Sequence, residues 1–139
     1  MSAIKVSDYM TRSLHSLGPD HSLIAAHRLM QRHNIRHLPV LDDGKLLGIV
    51  SQRDLYFLES LTDARADEMV VSEAMAMDVT VVSPDAPVSE VARTMVTNRL
   101  GSVVIIDDDG KVAGIFTTID ALRALMEITE VGDEILNSL

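Results

Sequence analysis

Leu23, Ala26 and Met30 stand three and four residues apart, and Val88, Val91 and Met95 repeat that spacing 65 positions later. Apolar residues at this period form one stripe along a helix. Ahead of each stripe lies a short apolar strand, LHSL at 14–17 and VTVV at 79–82, then a turn where Asp20 or Asp85 is placed to cap the helix. Asn34 and Asn98 are placed to close the two helices. Behind each helix come two apolar runs, HLPVL to GIVS and SVVII to GIFT, joined by DDG at 42–44 and DDDG at 107–110. Apolar runs around such turns predict β-hairpins. RDLYFLESL and IDALRALMEI follow as second helices.

The pattern therefore occurs twice, and the two copies hold register. VSDYM (6–10) returns as VSEAM (71–75), GPD (18–20) as SPD (83–85), and LDDGKLLGI (41–49) as IDDDGKVAGI (106–115). One added aspartate in the second turn moves the offset from 65 to 66. Two copies are fewer than a solenoid needs, so they predict units that cover each other's apolar faces. The expected fold is α/β, two βαββα repeats related by a pseudo-twofold axis. Repeat 1 spans 6–61, a linker 62–70, repeat 2 71–126, and a C-terminal tail 127–139.

Composition narrows the function. The 139 residues include no cysteine, which removes disulfides, thiolate metal sites and cysteine nucleophiles. A net charge of −9 repels phosphate backbones, so neither nucleic acid nor membrane insertion is expected. The start carries no basic and apolar leader, and a cytoplasmic protein is the expectation. A calcium loop with Gly110 at its glycine position would need ligands at Ile105 and Phe116, neither of which is one. His21, His27 and His33 are six apart and do not share a helix face, so no metal site is expected. GxxxxGK[ST], GxGxxG and GxSxG are absent.

What remains is a short phrase at each hairpin exit: Ser51-Gln52-Arg53-Asp54 and Thr117-Thr118-Ile119-Asp120. A hydroxyl followed three residues later by an acid is a capping box, and capping alone explains it. The same turn also suits a nucleotide. Free amides at a helix start suit phosphate, and a carboxylate accepts both hydroxyls of a ribose diol. With IRHLPV, DDGK and GIVSQRD in linked order, residues 6 to about 126 resemble a tandem pair of CBS (cystathionine beta-synthase type) domains, a Bateman module.

That resemblance implies a regulatory or sensory protein that binds AMP, ADP, ATP or a related adenosyl ligand. It implies no catalysis and no required cofactor. It also implies crossed clefts, in which the motif of one repeat faces the first strand of the other. The main cleft would then combine Asp120, Thr117 and Thr118 with His15, Ser16, Arg36, His37, Leu38 and Arg53. The second, weaker cleft would combine Asp54, Ser51 and Gln52 with Thr80, Val81, Ser102 and Val103. Charge separates the two, because Gly101, Ser102 and Ile119 stand where the first copy has Arg36, His37 and Arg53. A ligand-free interaction or oligomerisation scaffold is the alternative. No attached enzyme or transporter domain is expected, so output is expected to pass through an effector protein. Apolar faces at Leu55, Leu58 and Leu61 and at Leu122, Leu125 and Met126 predict a homodimer. The acidic tail carries Ile128, Val131, Ile135 and Leu136, and is expected to extend the last helix or dock on the partner subunit.

Overall fold

The computed structural model describes residues 3–12 and 15–139. In chain order the elements are β1 (Thr11–Arg12), α1 (Leu23–His33), β2 (His37–Asp42), β3 (Lys45–Ser51), α2 (Gln52–Leu61), β4 (Val81–Val82), α3 (Val88–Asn98), β5 (Ser102–Ile106), β6 (Val112–Thr117) and α4 (Thr118–Asn137). They form two compact α/β units. The inner unit is Ser13–Val79; the outer unit is Met1–Arg12 together with Thr80–Leu139.

The helices begin and end for local reasons. Ser22 caps α1, its hydroxyl accepting from Ala25 N at 3.1 Å, and Asn34 closes it in the left-handed region at φ 52°. Asp20 is therefore not the cap, because Ser22 is the residue at the helix boundary. Nor does Asp85 cap α3. Pro87 holds that position with no side-chain bond, and Asp85 pairs with Lys5 at 3.2 Å. At the far end of α3, Asn98 stays helical and donates to Thr94 O at 3.0 Å, leaving Arg99 to take φ 54°. Asp43 and Gly44, at φ 52° and 81°, form the tight turn of the first hairpin.

The expected first strands are shorter than the sequence suggests. Leu17 makes a single parallel bridge to Val40, Leu14 lies outside the described residues, and VTVV reduces to β4. In the outer unit the sheet order is β1-β6-β5-β4, with β1 antiparallel to β6 and β4 parallel to β5. The inner unit has the same order in outline. Its β2–β3 hairpin is flanked by the Leu17–Val40 bridge and by an antiparallel bridge from Ile49 to Ala76.

Packing and sequence similarity divide the chain differently. Val6, from the opening of repeat 1, is fully buried in the outer core with Val91, Met95, Val103, Ile105 and Phe116. Val71, from the opening of repeat 2, is fully buried in the inner core with Leu23, Met30, Leu38, Val40 and Val50. Each repeat thus gives its first segment to the unit holding the other repeat's hairpin. Two glycines make room for these segments. A Cβ on Gly114 would stand 2.6 Å from Thr11 O, and one on Gly48 2.5 Å from Ala76 O.

Of the apolar faces expected to pair two chains, Leu55 is instead fully buried and Leu58 packs on the inner core. Leu61, Leu122, Leu125 and Met126 are exposed. The tail continues α4 to Asn137, with Ile128, Val131, Ile135 and Leu136 open to solvent.

Candidate functional site

In the inner unit β3 ends at Ser51, where extended backbone (φ −107°, ψ 159°) turns into α2. The hydroxyl of Ser51 accepts from Asp54 N at 3.1 Å, and Ser51 N donates to Asp54 Oδ2 at 2.9 Å. Both halves of the expected capping box are formed. Gln52 N donates to Arg36 O at 2.9 Å, and Ser51 pairs with His37 across the hairpin. The strand ends thus bring Arg36, His37 and Leu38 beside Ser51, Gln52 and Asp54. Arg36 and Arg53 are exposed, and neither is in an ion pair among the described residues.

His15 and Ser16 belong to this same unit. The ring of His15 stacks on His33 at 3.7 Å with an interplanar angle of 18°. Desolvation lowers the His33 pKa from its ordinary 6.5, with further lowering from His15 and Arg32. His21 Nδ1 accepts from Gly18 N at 2.9 Å, and His27 meets Glu59 at 2.7 Å. Among the described residues no three His, Cys, Asp or Glu side chains are placed to hold a metal ion.

The outer unit repeats the turn with a more crowded carboxylate. Thr117 N donates to Asp120 Oδ2 at 2.9 Å, and the Thr117 hydroxyl accepts from Asp120 N at 3.3 Å. That hydroxyl also lies 3.2 Å from Oδ2. Thr118 N donates to Gly101 O at 3.2 Å, matching the Gln52–Arg36 bond. Ser102 pairs with Thr117, Val103 with Phe116, and Val81 with Val104, while Thr80 O accepts from Val104 N at 3.0 Å. Asp120 itself is only 1% exposed.

Two further residues reach Asp120 that the sequence reading missed. The Thr11 hydroxyl lies 3.2 and 3.3 Å from its two carboxylate oxygens, and Arg123 Nη1 donates to Oδ1 at 3.4 Å. A signal for both was present. At the repeat offsets Thr11 corresponds to Ala76 and Arg123 to Phe57, so the two motifs differ in their surroundings.

The predicted residues are thus shared out by unit. His15, Ser16, Arg36, His37, Leu38 and Arg53 accompany Ser51, Gln52 and Asp54 in the inner unit; Thr80, Val81, Ser102 and Val103 accompany Thr117, Thr118 and Asp120 in the outer. Chemically, each turn offers a carboxylate, a hydroxyl and the start of a helix.

Comparison with known proteins agrees with this architecture. The CBS domain model matches residues 6–59 and 71–127. The crystal structure of a putative acetoin utilization protein (AcuB) from Vibrio cholerae is 38% identical with a TM-score of 0.79, over 95% of this chain and 97% of that one. CBSX2 in complex with AMP is 30% identical with a TM-score of 0.74, over 90% and 98%. The CBS domain pair of MJ0100, in complex with 5'-methylthioadenosine and S-adenosyl-L-methionine, is 29% identical with a TM-score of 0.76, over 88% and 99%. The first curated relatives are longer, and the chain spans 46%, 23% and 40% of their lengths.

Proposed function

The chain belongs to the CBS domain family, and from that premise we propose that it is a cytoplasmic regulatory module whose hydroxyl-x-x-aspartate turns receive an adenosyl ligand. The observation that carries this is the pair of formed turns, each placing a carboxylate and a hydroxyl at the start of a helix where a hairpin ends. Two neighbours of similar fold support the ligand class, one holding AMP and the other 5'-methylthioadenosine and S-adenosyl-L-methionine. The carboxylate serves the ribose diol. Exposed Arg36 and Arg53 serve phosphate where the ligand carries it. We assign the chain no reaction of its own; ligand occupancy is passed to an effector protein.

Thermal denaturation with AMP, ATP and S-adenosylmethionine tests the reading. A ligand at ten times its dissociation constant should stabilise the protein by about 1.4 kcal/mol. If none of the three moves the melting temperature at millimolar concentration, the adenosyl role is lost.

A second reading, self-association, has its own observation. Between α3 and α4 lies an apolar groove of about 580 Å³, lined by Val88, Ala92, Val96, Leu122, Leu125 and Ile128. Val96 is 79% and Leu122 57% exposed, an apolar surface of the kind that marks an interface. We propose that a second copy covers it, so that the regulatory module is a homodimer. Light scattering at micromolar concentration should return twice the chain mass, and Leu125→Glu should return the monomer. A monomer from the unaltered chain would refute the pairing.

A further inference from the structure

We propose that Thr11 and Arg123 latch the Asp120 carboxylate internally, so that an adenosyl ligand takes the Asp54 turn in preference to the Asp120 turn. This rests on the adenosyl reading above and goes beyond it, because it makes the two turns unequal through residues outside the motif.

A carboxylate offers about four lone-pair sites on its two oxygens. At Asp120 those sites are already engaged. Oδ2 receives Thr117 N at 2.9 Å, with the Thr117 and Thr11 hydroxyls at 3.2 and 3.3 Å. Oδ1 receives Thr11 at 3.2 Å and Arg123 at 3.4 Å. A ribose diol would have to displace one hydroxyl bond and one charge-assisted bond to place its own two hydroxyls. Such an exchange yields no net gain, because the incoming donors are no stronger than those they replace.

Asp54 is in the opposite condition. Among the described residues its carboxylate accepts only the Ser51 amide, at 2.9 Å, and it is partly exposed. The reason lies in two substitutions between the repeats. Ala76 bridges Ile49 where Thr11 pairs with Ile115, so a methyl replaces the hydroxyl at the same place in the sheet. Phe57 stands where Arg123 does and carries no donor. The inner unit also holds exposed Arg36 and Arg53, whose counterparts in the outer unit are Gly101 and Ile119. An open carboxylate and two cations thus occur in one unit, and a latched carboxylate without those cations in the other. Charge read from the sequence favours Asp120; the hydrogen bonds actually formed favour Asp54.

Calorimetry with AMP on the full chain tests the latch. The unaltered protein should take one AMP per chain, and Asp54→Asn should weaken that binding by about 10-fold to 150-fold, the loss of a hydrogen bond to a charged group. Thr11→Val combined with Arg123→Gln should take a second AMP. Thr11→Val alone keeps the side-chain shape and carries the test should the double variant not fold, the melt of each variant serving as the check. Unchanged AMP binding in Asp54→Asn, or folded unlatched variants that take no second AMP, would overturn the latch while leaving the adenosyl reading standing. No AMP heat from the unaltered or the unlatched protein, together with no shift in melting temperature from AMP, ATP or S-adenosylmethionine, would overturn that reading, and the latch with it.

Discussion

Phe116→Ala should destabilise the protein by about 3–5 kcal/mol, the cost of emptying a buried aromatic site. Phe116 is fully buried, and it is the largest such side chain in a protein with only two phenylalanines and no tryptophan. It shares one buried core with Val6, Val91, Met95, Val103 and Ile105, so strand, helix and N-terminal segment of the outer unit all contribute to the cluster that holds the ring. The equivalent position in the inner unit is Val50, also fully buried. Val50→Ala removes two carbons rather than six, at about 0.8 kcal/mol for each buried methylene, and should cost about 2 kcal/mol. Urea unfolding of both variants, with the slope held constant, separates the two. Equal midpoint shifts would show that the ring is not the centre of its core.

Gly114→Val and Gly48→Val should each cost about 3 kcal/mol, the upper end of overpacking. The obstacle is backbone, which cannot rotate out of the way as a side chain can. At Gly114 the first added carbon meets Thr11 O at 2.6 Å and Met10 Sδ at 2.9 Å; at Gly48 it meets Ala76 O at 2.5 Å and Met75 Sδ at 3.0 Å. The strand that crosses each glycine must lift away, breaking the β1–β6 pairing in one unit and the Ile49–Ala76 bridge in the other. Gly132, with nothing within 4 Å of an added Cβ, is the matched control. Gly132→Ala should be stabilising, since alanine is the better helix former by about 1 kcal/mol. Thermal melts of the three variants decide the matter, and an unchanged melting temperature for Gly114→Val would contradict the close approach.

Much of this architecture was legible because it is local. The stripes Leu23-Ala26-Met30 and Val88-Val91-Met95 are at the core face of α1 and α3, and both Ser51 and Thr117 close capping boxes with their aspartates. Helix ends were read less well, because several residues compete for one boundary. Ser22 took the place expected of Asp20, and Arg99 the left-handed turn expected of Asn98, whose amide bonds within its own helix. The placement of the opening segments was not legible at all. Similarity groups VSDYM with the hairpin that follows it in the chain, whereas burial of Val6 groups it with Phe116, 110 residues away. The Thr11 contact to Asp120 was hidden for the same reason, and only the mismatch with Ala76 hinted at it.

The exchange of opening segments bears on how such a chain is made and on how it arose. During synthesis Val6 emerges well before Val103, Ile105 and Phe116, with which it shares a core, so the outer unit stays incomplete until those residues have been made. The inner unit, continuous from Ser13 to Val79, is free to form earlier. A single repeat expressed alone would carry a first segment with no core of its own to enter, and could complete itself only with the segment of another copy. Joining two copies in one chain turns that encounter into an intramolecular one, at an effective concentration on the order of millimolar for a short tether. Duplication in this protein thus substitutes for assembly: the tandem chain carries internally the exchange that a lone repeat would have to find in solution.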